Sequence, residues 1–279
     1  MRCWLNGALV EPAQALVSAY DHGLVVGDGV FETCKVVDGV PFALARHLAR
    51  LQRSARGLGL PEVDLDALRA AVAEVCAEPD LPAAARLRVT VTAGPAPLGS
   101  GRGDGPATLF VAAAPLAEWA PTCAVVTVPW PRNERGALVG VKTTSYAENV
   151  VALDYARSRE AAEAVFANTA GNLCEGTGSN VFVVLDERLV TPPLSAGCLA
   201  GVTRDLVLEW VDGAVEEDVP MSVLSDAAAG EVFLTSTTRD VQPVHAFDGR
   251  KVAAAPGPVT RRAMDAFAAR AADNPDPRS

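Results

Sequence analysis

Short apolar segments, either alternating with polar residues or bounded by turn dipeptides, dominate this 279-residue sequence. Asn6-Gly7 and Asp38-Gly39 each separate two such segments, which predicts two β-hairpins near the N-terminus. Residues 86–92 alternate with period two, which predicts a strand with all its apolar side chains on one face. Regular β-α-β-α alternation is absent, so the pattern excludes a doubly wound parallel sheet and favours an α+β fold.

Composition along the chain indicates two domains. Residues 44–58 have helical apolar spacing, whereas eight of the thirteen residues in 94–106 are Gly or Pro and predict a long loop. Residues 117–121 have the character of a linker, and a new strand begins at Cys123. We therefore predict a smaller N-terminal α+β domain over 1–116, a linker over 117–121 and a larger, strand-rich domain over 122–279. The tail from Asn274 is expected to fray.

The charge and the cysteine pattern exclude several classes of function. With 34 acidic and 24 basic residues the chain carries a net charge of −10, which argues against a nucleic-acid partner. No apolar run approaches the roughly 20 residues of a membrane span, and no secretory signal is evident, so we expect a cytoplasmic protein. Six scattered cysteines and three isolated histidines offer no metal-ligand spacing.

Lysine is scarce, since Lys35, Lys142 and Lys251 are the only three. Lys142 stands just before a capping-box pattern, Ser145 to Glu148, that predicts a helix running to about residue 160. A helix N-terminus disfavours a charged amine, and a neutral amine is what a nucleophilic lysine requires. The alternative is a lysine whose stem packs on the surface while its amine reaches solvent.

Two further segments can hold a phosphate group. Gly201 to Arg204 opens a helix with exposed backbone N–H groups, and Ser236 to Thr238 ends a strand with a cluster of hydroxyls. Glu175 enters a glycine-rich turn before an apolar strand. Taken singly, each segment is more typical of an ordinary cap or turn than of a functional site.

Together with Gly27–Glu32 and the His47-Leu-Ala-Arg50-Leu51 stretch, these segments resemble the class IV aminotransferases, the pyridoxal-phosphate enzymes of fold type IV. That family includes branched-chain and D-amino-acid aminotransferases and aminodeoxychorismate lyase. The resemblance covers nearly the whole chain, and its most specific part is the spacing from Glu175 to Arg204. It implies a two-domain α+β fold, pyridoxal 5'-phosphate as cofactor, and a homodimer, while the cysteine and histidine spacing itself predicts no metal.

The resemblance also implies roles for individual residues. Lys142 matches the lysine that forms the internal aldimine with the cofactor and later moves the Cα proton, and Glu175 matches the carboxylate that pairs with the pyridine nitrogen. Tyr146 can contact the phenolic oxygen of the cofactor, although the branched-chain enzymes place their tyrosine one residue later. The residues that match the phosphate site are Arg50, Val202, Thr203, Ser236 and Thr237.

The substrate pocket is matched by Phe31, Thr33 and Lys35, which alternation places on one face of a strand. Lys35 either holds a substrate carboxylate or lies in solvent. Bacterial D-amino-acid aminotransferases carry an Arg-x-His pair for this carboxylate, where the present sequence has Leu98-Gly-Ser100. Arg102, on the same loop, either substitutes for that pair or faces solvent.

The expected activity is ping-pong transamination between amino acids, D-amino acids foremost, and 2-oxo acids. The alternative is 4-amino-4-deoxychorismate lyase, which uses the same lysine to release pyruvate and 4-aminobenzoate. Both activities need the same cofactor-binding residues, so the sequence leaves the two open.

Overall fold

A computed structural model describes residues 1–225 and 229–278 of the chain. Contacts group these residues into two compact units. The first unit contains Met1–Ala117, Val141–Tyr146 and the tail from Asn274, and the second contains Glu118–Gly140 and Ala147–Asp273. The domain limits drawn from composition remain a prediction, and the contact grouping differs from them by adding residues 141–146 and the tail to the first unit.

The first unit is built on a six-stranded antiparallel sheet. Its strands are β1 (Cys3–Leu5), β2 (Ala8–Val10), β3 (Gly29–Val37), β4 (Val40–Pro41), β5 (Ala84–Thr92) and β6 (Thr108–Pro115), in the order β2-β1-β6-β5-β3-β4. Its helices are α1 (His22–Val25), α2 (Leu44–Leu58) and α3 (Leu65–Cys76), and Pro12–Gln14 form a 3-10 turn. Both predicted hairpins are confirmed, and all four turn residues adopt the positive φ that tight hairpin turns require.

The core of this unit lies between the two longer helices and one face of the sheet. Leu48 and Leu51 of α2 pack with Leu68 of α3 and with Leu87 and Val89 of β5, and all five are almost wholly buried. Burying one such side chain stabilises the fold by about 1.5–3 kcal/mol. The intervening residues of β3 and β5 therefore point to the opposite face of the sheet.

The C-terminal tail caps helix α2 from far along the sequence. The N-cap residue Ala43 has φ of 53° and makes no side-chain capping bond. Asp276 Oδ1 accepts a hydrogen bond from the Ala45 N–H at 2.8 Å, and the Pro275 carbonyl accepts one from the Ala43 N–H at 2.7 Å. Arg46 donates to a further tail carbonyl at 2.9 Å. The expectation that the tail frays is wrong for its described residues, because they satisfy donors that the helix start leaves open.

The second unit is built on a nine-stranded mixed sheet. Its strands are β7 (Cys123–Thr127), β8 (Glu163–Ala167), β9 (Leu173–Gly176), β10 (Asn180–Leu185), β11 (Arg188–Thr191), β12 (Ala214–Glu216), β13 (Glu231–Ser236), β14 (Asp240–Phe247) and β15 (Arg250–Lys251). The order is β12-β11-β10-β13-β14-β7-β8-β9, with β15 paired to β14. Its helices are α4 (Ala147–Arg157), α5 (Val202–Trp210), α6 (Ser222–Ser225) and α7 (Pro258–Asp273), and Leu194–Ala196 form a 3-10 turn.

Three strand ends of this second sheet come together. Asn180 at the start of β10 pairs with Thr235 near the end of β13. The Gly176 N–H at the end of β9 donates to the Ser179 carbonyl at 2.8 Å, which closes the turn into β10. The ends of β9 and β13 and the start of β10 therefore lie at one end of the sheet, above a core of buried valines and leucines.

Two kinds of feature are missing from the described residues. None of their helices combines the length and apolar character that crossing a bilayer requires. No three or more His, Cys, Asp or Glu side chains among them are grouped as a metal site would need.

Candidate active site

Lys142 lies on a short segment that pairs with the start of β3 in the first unit. The Phe31 N–H donates to the Lys142 carbonyl at 3.0 Å, and the Lys142 N–H donates to Oγ of Ser54 at 3.1 Å. Lys142 Nζ lies 4.5 Å from the centroid of the Phe31 ring and 6.0 Å from that of Tyr146. Three residues that the sequence assigned to one site are thus brought together.

The position of Lys142 does not depend on the helix that follows it. The predicted helix is observed as α4, which begins at Ala147, five residues after Lys142, and ends at Arg157. The intervening backbone pairs with β3 through the Val30–Thr143 bridge. Strand pairing, not a helix N-terminus, therefore fixes this lysine.

Arg88 of β5 joins the group, although the sequence analysis gave it no role. Arg88 lies opposite Thr33 in the register of β3 and β5, so it shares the face that carries Phe31 and Lys35. Its Cζ lies 3.7 Å from the Phe31 ring centroid. Burial is the largest influence on the guanidinium and lowers the pKa of Arg88, although the side chain keeps solvent access. No carboxylate among residues 1–225 and 229–278 forms an ion pair with it. Alternation along the strand predicts that Arg88 points away from the apolar face. Its contact with Phe31 follows only from the register of β3 and β5.

Arg50 and His47 of α2 hold the carboxylate of Glu32, which is wholly buried on β3. Arg50 Nε and Nη2 donate to the two carboxylate oxygens at 2.7 Å, and His47 Nδ1 lies 2.7 Å from Glu32 Oε2. Burial alone would raise the pKa of Glu32, but the charge of Arg50 and the hydrogen bonds from Arg50 and His47 hold that pKa well below its ordinary range. Arg50 is therefore a cation whose position Glu32 sets.

Arg102 donates four hydrogen bonds within the first unit. Its Nε and Nη2 donate to the two oxygens of Asp28 at 2.7 Å, and its Nη1 and Nη2 donate to the carbonyls of Gly59 and Leu58 at 2.5 and 2.7 Å. The bond from Arg102 is the largest influence on the pKa of Asp28 and lowers it. Because a guanidinium has five N–H groups, Arg102 fixes its loop against the end of α2 and has little capacity left for a substrate.

Glu175 lies on β9 of the second unit, opposite Phe166 of β8. Its Oε2 accepts a hydrogen bond from the Leu199 N–H at 2.9 Å, and its Oε1 lies 3.8 Å from Nη2 of Arg132. Arg132 also donates to Glu148 at 2.5 Å and packs over the Phe166 ring at 4.2 Å. With 15% of its side chain exposed, the Glu175 carboxylate is presented from a fixed strand position.

Helix α5 begins at Val202 after an N-cap, Gly201, that offers no capping side chain. Asn180 Nδ2 donates to the Leu199 carbonyl at 2.9 Å, and a Cβ on Gly201 would approach Asn180 Oδ1 to 1.9 Å. Glycine is therefore required where β10 meets the loop before the helix. The N–H groups of Val202 and Thr203 lie at the positive end of the helix, where an anion is stabilised.

Ser236 ends β13, and Thr237 begins the turn into β14. The Ser236 carbonyl accepts a hydrogen bond from the Arg239 N–H at 3.2 Å, which closes the turn. The Thr235 hydroxyl is buried and has no hydrogen-bond partner in the described part of the chain. Since Thr235 pairs with Asn180, these hydroxyls lie at the same sheet end as the loop that leads into α5.

The predicted residues fall into two sets, one in each unit. The first set is Lys142, Phe31, Thr33, Lys35, Tyr146 and Arg50, with Arg102 engaged elsewhere in the same unit. The second set is Glu175, Val202, Thr203, Ser236 and Thr237. The residues that sequence reasoning gave no role, and that contact these sets, are Arg88, Glu32, His47, Asn180 and Arg132.

Comparison with known proteins identifies the family. Residues 29–247 match the model of the amino-transferase class IV family. The chain belongs to the class IV aminotransferases. Members of this family are pyridoxal-phosphate enzymes, and the α+β architecture of this aminotransferase matches fold-type-IV structures.

Relatives of this aminotransferase differ in the amino acid that their names specify. A protein of Methanocaldococcus jannaschii, provisionally named a branched-chain-amino-acid aminotransferase, is 33% identical over 90% of each chain. The D-alanine aminotransferase of Bacillus licheniformis is 30% identical over 96% of each chain. The crystal structure of the branched-chain aminotransferase from Thermoproteus uzoniensis with norvaline has a TM-score of 0.89 at 28% identity, covering 96% of this chain and 93% of that one.

Each set, taken by itself, contains groups that suit a part of pyridoxal phosphate. An aldehyde requires a lysine amine, a protonated pyridine nitrogen requires a carboxylate, and a phosphate dianion requires N–H and O–H donors. The start of α5 without a side-chain cap and the unpartnered Thr235 hydroxyl supply such donors at one sheet end. The donor set of this aminotransferase therefore suits each polar part of the cofactor.

Proposed function

We propose that this aminotransferase transfers amino groups between D-amino acids and 2-oxo acids by a ping-pong reaction centred on Lys142. The observation that carries the proposal is the cluster of Lys142, Phe31 and Arg88, where a lysine amine and a guanidinium lie 4.5 and 3.7 Å from one aromatic ring. An amino or oxo acid carries its amino or oxo group on the carbon next to a carboxylate, and that carboxylate needs a cation. The 30% identity with a D-alanine aminotransferase supports the D-amino-acid class.

Lys142 has two tasks in this proposal. Its amine would hold the cofactor at the aldehyde carbon, and the same amine, when free, would take up and return the proton at the substrate Cα. Bound pyridoxal phosphate supplies an electron-accepting ring that stabilises negative charge at that carbon. Phe31 and Tyr146, packed edge to face with their ring centroids 5.3 Å apart, place two aromatic rings beside the amine.

The remaining cofactor contacts are assigned by chemistry. We propose that Glu175 pairs with the pyridine nitrogen and keeps it protonated. We propose that the Tyr146 hydroxyl donates a hydrogen bond to the phenolic oxygen of the cofactor. The residues proposed for the phosphate group are Arg50, Val202, Thr203, Ser236 and Thr237. Glu32 and His47 act through Arg50, because they fix its guanidinium.

Arg88 is the residue we propose for the substrate carboxylate, in place of Arg102. Arg102 already donates to Asp28 and to the end of α2. Arg88 has no carboxylate partner in the described residues, and the partial desolvation that lowers its pKa also strengthens its attraction for an anion. Lys35 remains a second candidate on the same strand face.

We further propose that the enzyme is a homodimer. Large apolar side chains are exposed at five positions between residues 16 and 26, namely Leu16, Val17, Tyr20, Leu24 and Val26. Exposed apolar patches of this kind mark protein interfaces. Light scattering on the purified protein should give twice the chain mass of 28.9 kDa. Leu24→Arg should shift it toward the monomer, and a monomeric parent protein would contradict the proposal.

The cytoplasm is the compartment we propose. All six cysteines are free thiols, as in proteins kept in a reducing environment. Burial raises the pKa of Cys123 to about 11 and that of Cys198 to about 12, so these thiols are poor nucleophiles.

Branched-chain L-amino acids are the second candidate substrates. The relatives named for branched-chain substrates are as similar to this chain as the D-alanine enzyme is. Leu98 and Ser100 also offer no charge where D-amino-acid enzymes carry their Arg-x-His pair. The lyase reaction on 4-amino-4-deoxychorismate is the third outcome that an assay must separate.

Three incubations of the purified protein distinguish these activities. D-Alanine with 2-oxoglutarate should give D-glutamate, measured by chiral chromatography, and Lys142→Ala protein is the control. L-Leucine with 2-oxoglutarate giving only L-glutamate would move the assignment to the second candidate. Release of 4-aminobenzoate and pyruvate from 4-amino-4-deoxychorismate, without amino transfer, would overturn the proposed reaction.

A further inference from the structure

Glu163 and Arg239 form a buried ion pair in the second unit, and neither belongs to the proposed binding residues. The side chains are 2% and 6% exposed, and Arg239 Nη2 donates to Glu163 Oε2. Glu163 begins β8, whereas Arg239 ends the turn between β13 and β14. The pair therefore links two parts of the sheet that are 76 residues apart in sequence.

The Glu163 carboxylate also holds the turn that follows Glu175. Its Oε1 accepts hydrogen bonds from the Thr177 hydroxyl and, at 3.1 Å, from the Gly178 N–H. Residues 177–179 connect β9, which carries Glu175, to β10. One carboxylate oxygen thus fixes the turn beside the proposed pyridine partner, and the other binds Arg239.

The Arg239 guanidinium is fixed on its remaining sides as well. Its Nη1 donates to Gln242 Oε1 at 3.0 Å, and its Cζ lies 4.0 Å from the Trp119 ring centroid. The Arg239 backbone N–H donates to the Ser236 carbonyl at 3.2 Å. The turn that carries Ser236 and Thr237 is therefore tied to a side chain that Glu163, Gln242 and Trp119 contact.

Stability alone does not account for this pair. Replacing a buried ion pair with apolar side chains is often neutral or stabilising, because the desolvation cost offsets the attraction between the charges. What such a pair does provide is a fixed geometry, and this one fixes two turns that both contribute proposed cofactor contacts.

We propose that Glu163 and Arg239 are positioning residues. They set the distance between the Ser236–Thr237 turn and the turn of residues 177–179 that follows Glu175, so that one turn suits the cofactor phosphate while Glu175 suits the pyridine nitrogen. The inference rests on the proposed cofactor site. Glu163 and Arg239 do not contact the cofactor in this proposal. They determine where the residues that bind the cofactor lie.

Glu163→Gln should weaken the contact with Arg239 while keeping the hydrogen bonds from Thr177 and Gly178. The amide oxygen can still accept from Thr177 and Gly178, but the amide NH₂ then faces the N–H groups of Arg239. The Ser236–Thr237 turn should lose its anchor while the Glu175 turn keeps its own. Affinity for pyridoxal 5'-phosphate should therefore fall by about tenfold or more, as is usual when a residue that orients a binding residue is lost. Affinity for pyridoxal, which has no phosphate, should change little.

The experiment is equilibrium dialysis of the full-length protein against pyridoxal 5'-phosphate and against pyridoxal, with the ³¹P chemical shift of the bound phosphate as an independent readout. Glu231→Gln is the matched control. Glu231 is equally buried, at 5% exposed, but accepts from the N–H groups of Val259 and Thr260 at the start of α7. It should lower thermal stability without changing the ratio of the two affinities or the ³¹P shift.

Equal losses for both ligands in Glu163→Gln, or the same ratio as in Glu231→Gln, would overturn the inference and leave the pair a structural one. If Glu163→Gln fails to fold, Arg239→Lys keeps the charge but not the contacts with Gln242 and Trp119, and a ratio unchanged there would be equally decisive. A parent protein that binds no pyridoxal 5'-phosphate would instead remove the proposed function itself.

Discussion

The two units fix their candidate site residues by different means. In the first unit Phe31 and Arg88 lie on adjacent, fully paired strands, and Arg50 lies on a fifteen-residue helix. In the second unit the corresponding residues lie at the ends of strands and at the start of a helix, beside turns or loops that single buried side chains such as Glu163 and Asn180 hold in place. Backbone ladders tolerate the loss of one side-chain contact, whereas a turn held by one or two buried polar contacts does not. Substitutions should therefore act mainly through chemistry in the first unit and mainly through position in the second.

The largest effect is expected at Lys142. Lys142→Ala should reduce amino transfer by at least about 10⁴-fold, because the substituted residue is the nucleophile itself. Lys142→Arg should be as inactive, since a guanidinium forms no imine with the cofactor. Both should remain folded, because pairing with β3 uses the backbone of this segment.

Borohydride reduction followed by peptide mapping tests the same assignment without relying on activity. The cofactor should be fixed on the peptide that contains Lys142. Lys251→Arg, on the exposed strand β15, is the control and should keep full activity. Label on Lys35 or Lys251 would show that the site is wrongly assigned.

Arg88 should give the next largest effect. Arg88→Gln removes a charge-assisted contact worth about 1.5–3 kcal/mol, so the KM for amino and oxo acids should rise by one to two orders of magnitude while cofactor affinity stays the same. Arg86→Gln, on the same face and opposite Lys35, is the matched control. A rise in KM for Arg102→Gln but not for Arg88→Gln would return the carboxylate role to the loop.

Sequence patterns predicted the elements whose signal is local. The alternation of residues 86–92 matches β5, and the helix predicted to open at Gly201 to Arg204 is observed as Val202–Trp210. Strands β9 and β14 were missed, because the first has four residues ending in glycine and the second contains Pro243, and neither alternates clearly.

Sequence patterns did not predict contacts between residues that are far apart in the sequence. Nothing near Glu163 in the sequence indicates Arg239, and nothing near Ala45 indicates Asp276, which lies 231 residues away. Arg88 lies between these cases. The side of the strand that carries Arg88 could be predicted from alternation, but its neighbours on β3 could not. The chemistry of the candidate site could thus be inferred from residue types, whereas the groups that position it required the fold.

His47 allows a test of pH dependence in the first unit. Burial, Arg50 and Lys142 lower the pKa of His47 below its ordinary 6.5, despite the opposing effect of Glu32. The unfolded chain therefore binds more protons than the folded one as the pH falls below 6.5, so acidification is destabilising by up to about 1.4 kcal/mol per pH unit. His47→Gln keeps a donor for Glu32 and should flatten the slope of unfolding free energy between pH 7 and pH 5.

Urea denaturation at several pH values measures that slope. Glu32, whose folded pKa is also lowered, adds to the acid loss only near and below its ordinary pKa of 4.5, so it does not obscure the window. His245→Gln, in the other unit, is the control for removing an exposed imidazole. A slope that is the same in His47→Gln and the parent protein would show that His47 does not titrate differently on folding.

The smallest effect is expected where a contact distant in sequence supports the regular elements of the first unit. Asp276→Ala removes the acceptor for the Ala45 N–H and should cost about 1 kcal/mol, the usual value of a helix N-cap. Asp64→Ala is the matched local case, because Asp64 caps α3 by accepting from the N–H groups of Asp66 and Ala67. Both variants should lower Tm by similar amounts, but only Asp276→Ala should weaken cofactor binding, since α2 carries Arg50 and α3 carries no proposed site residue. Equal cofactor affinity in the two variants would mean that the paired strands position Arg50 through Glu32 without help from the tail.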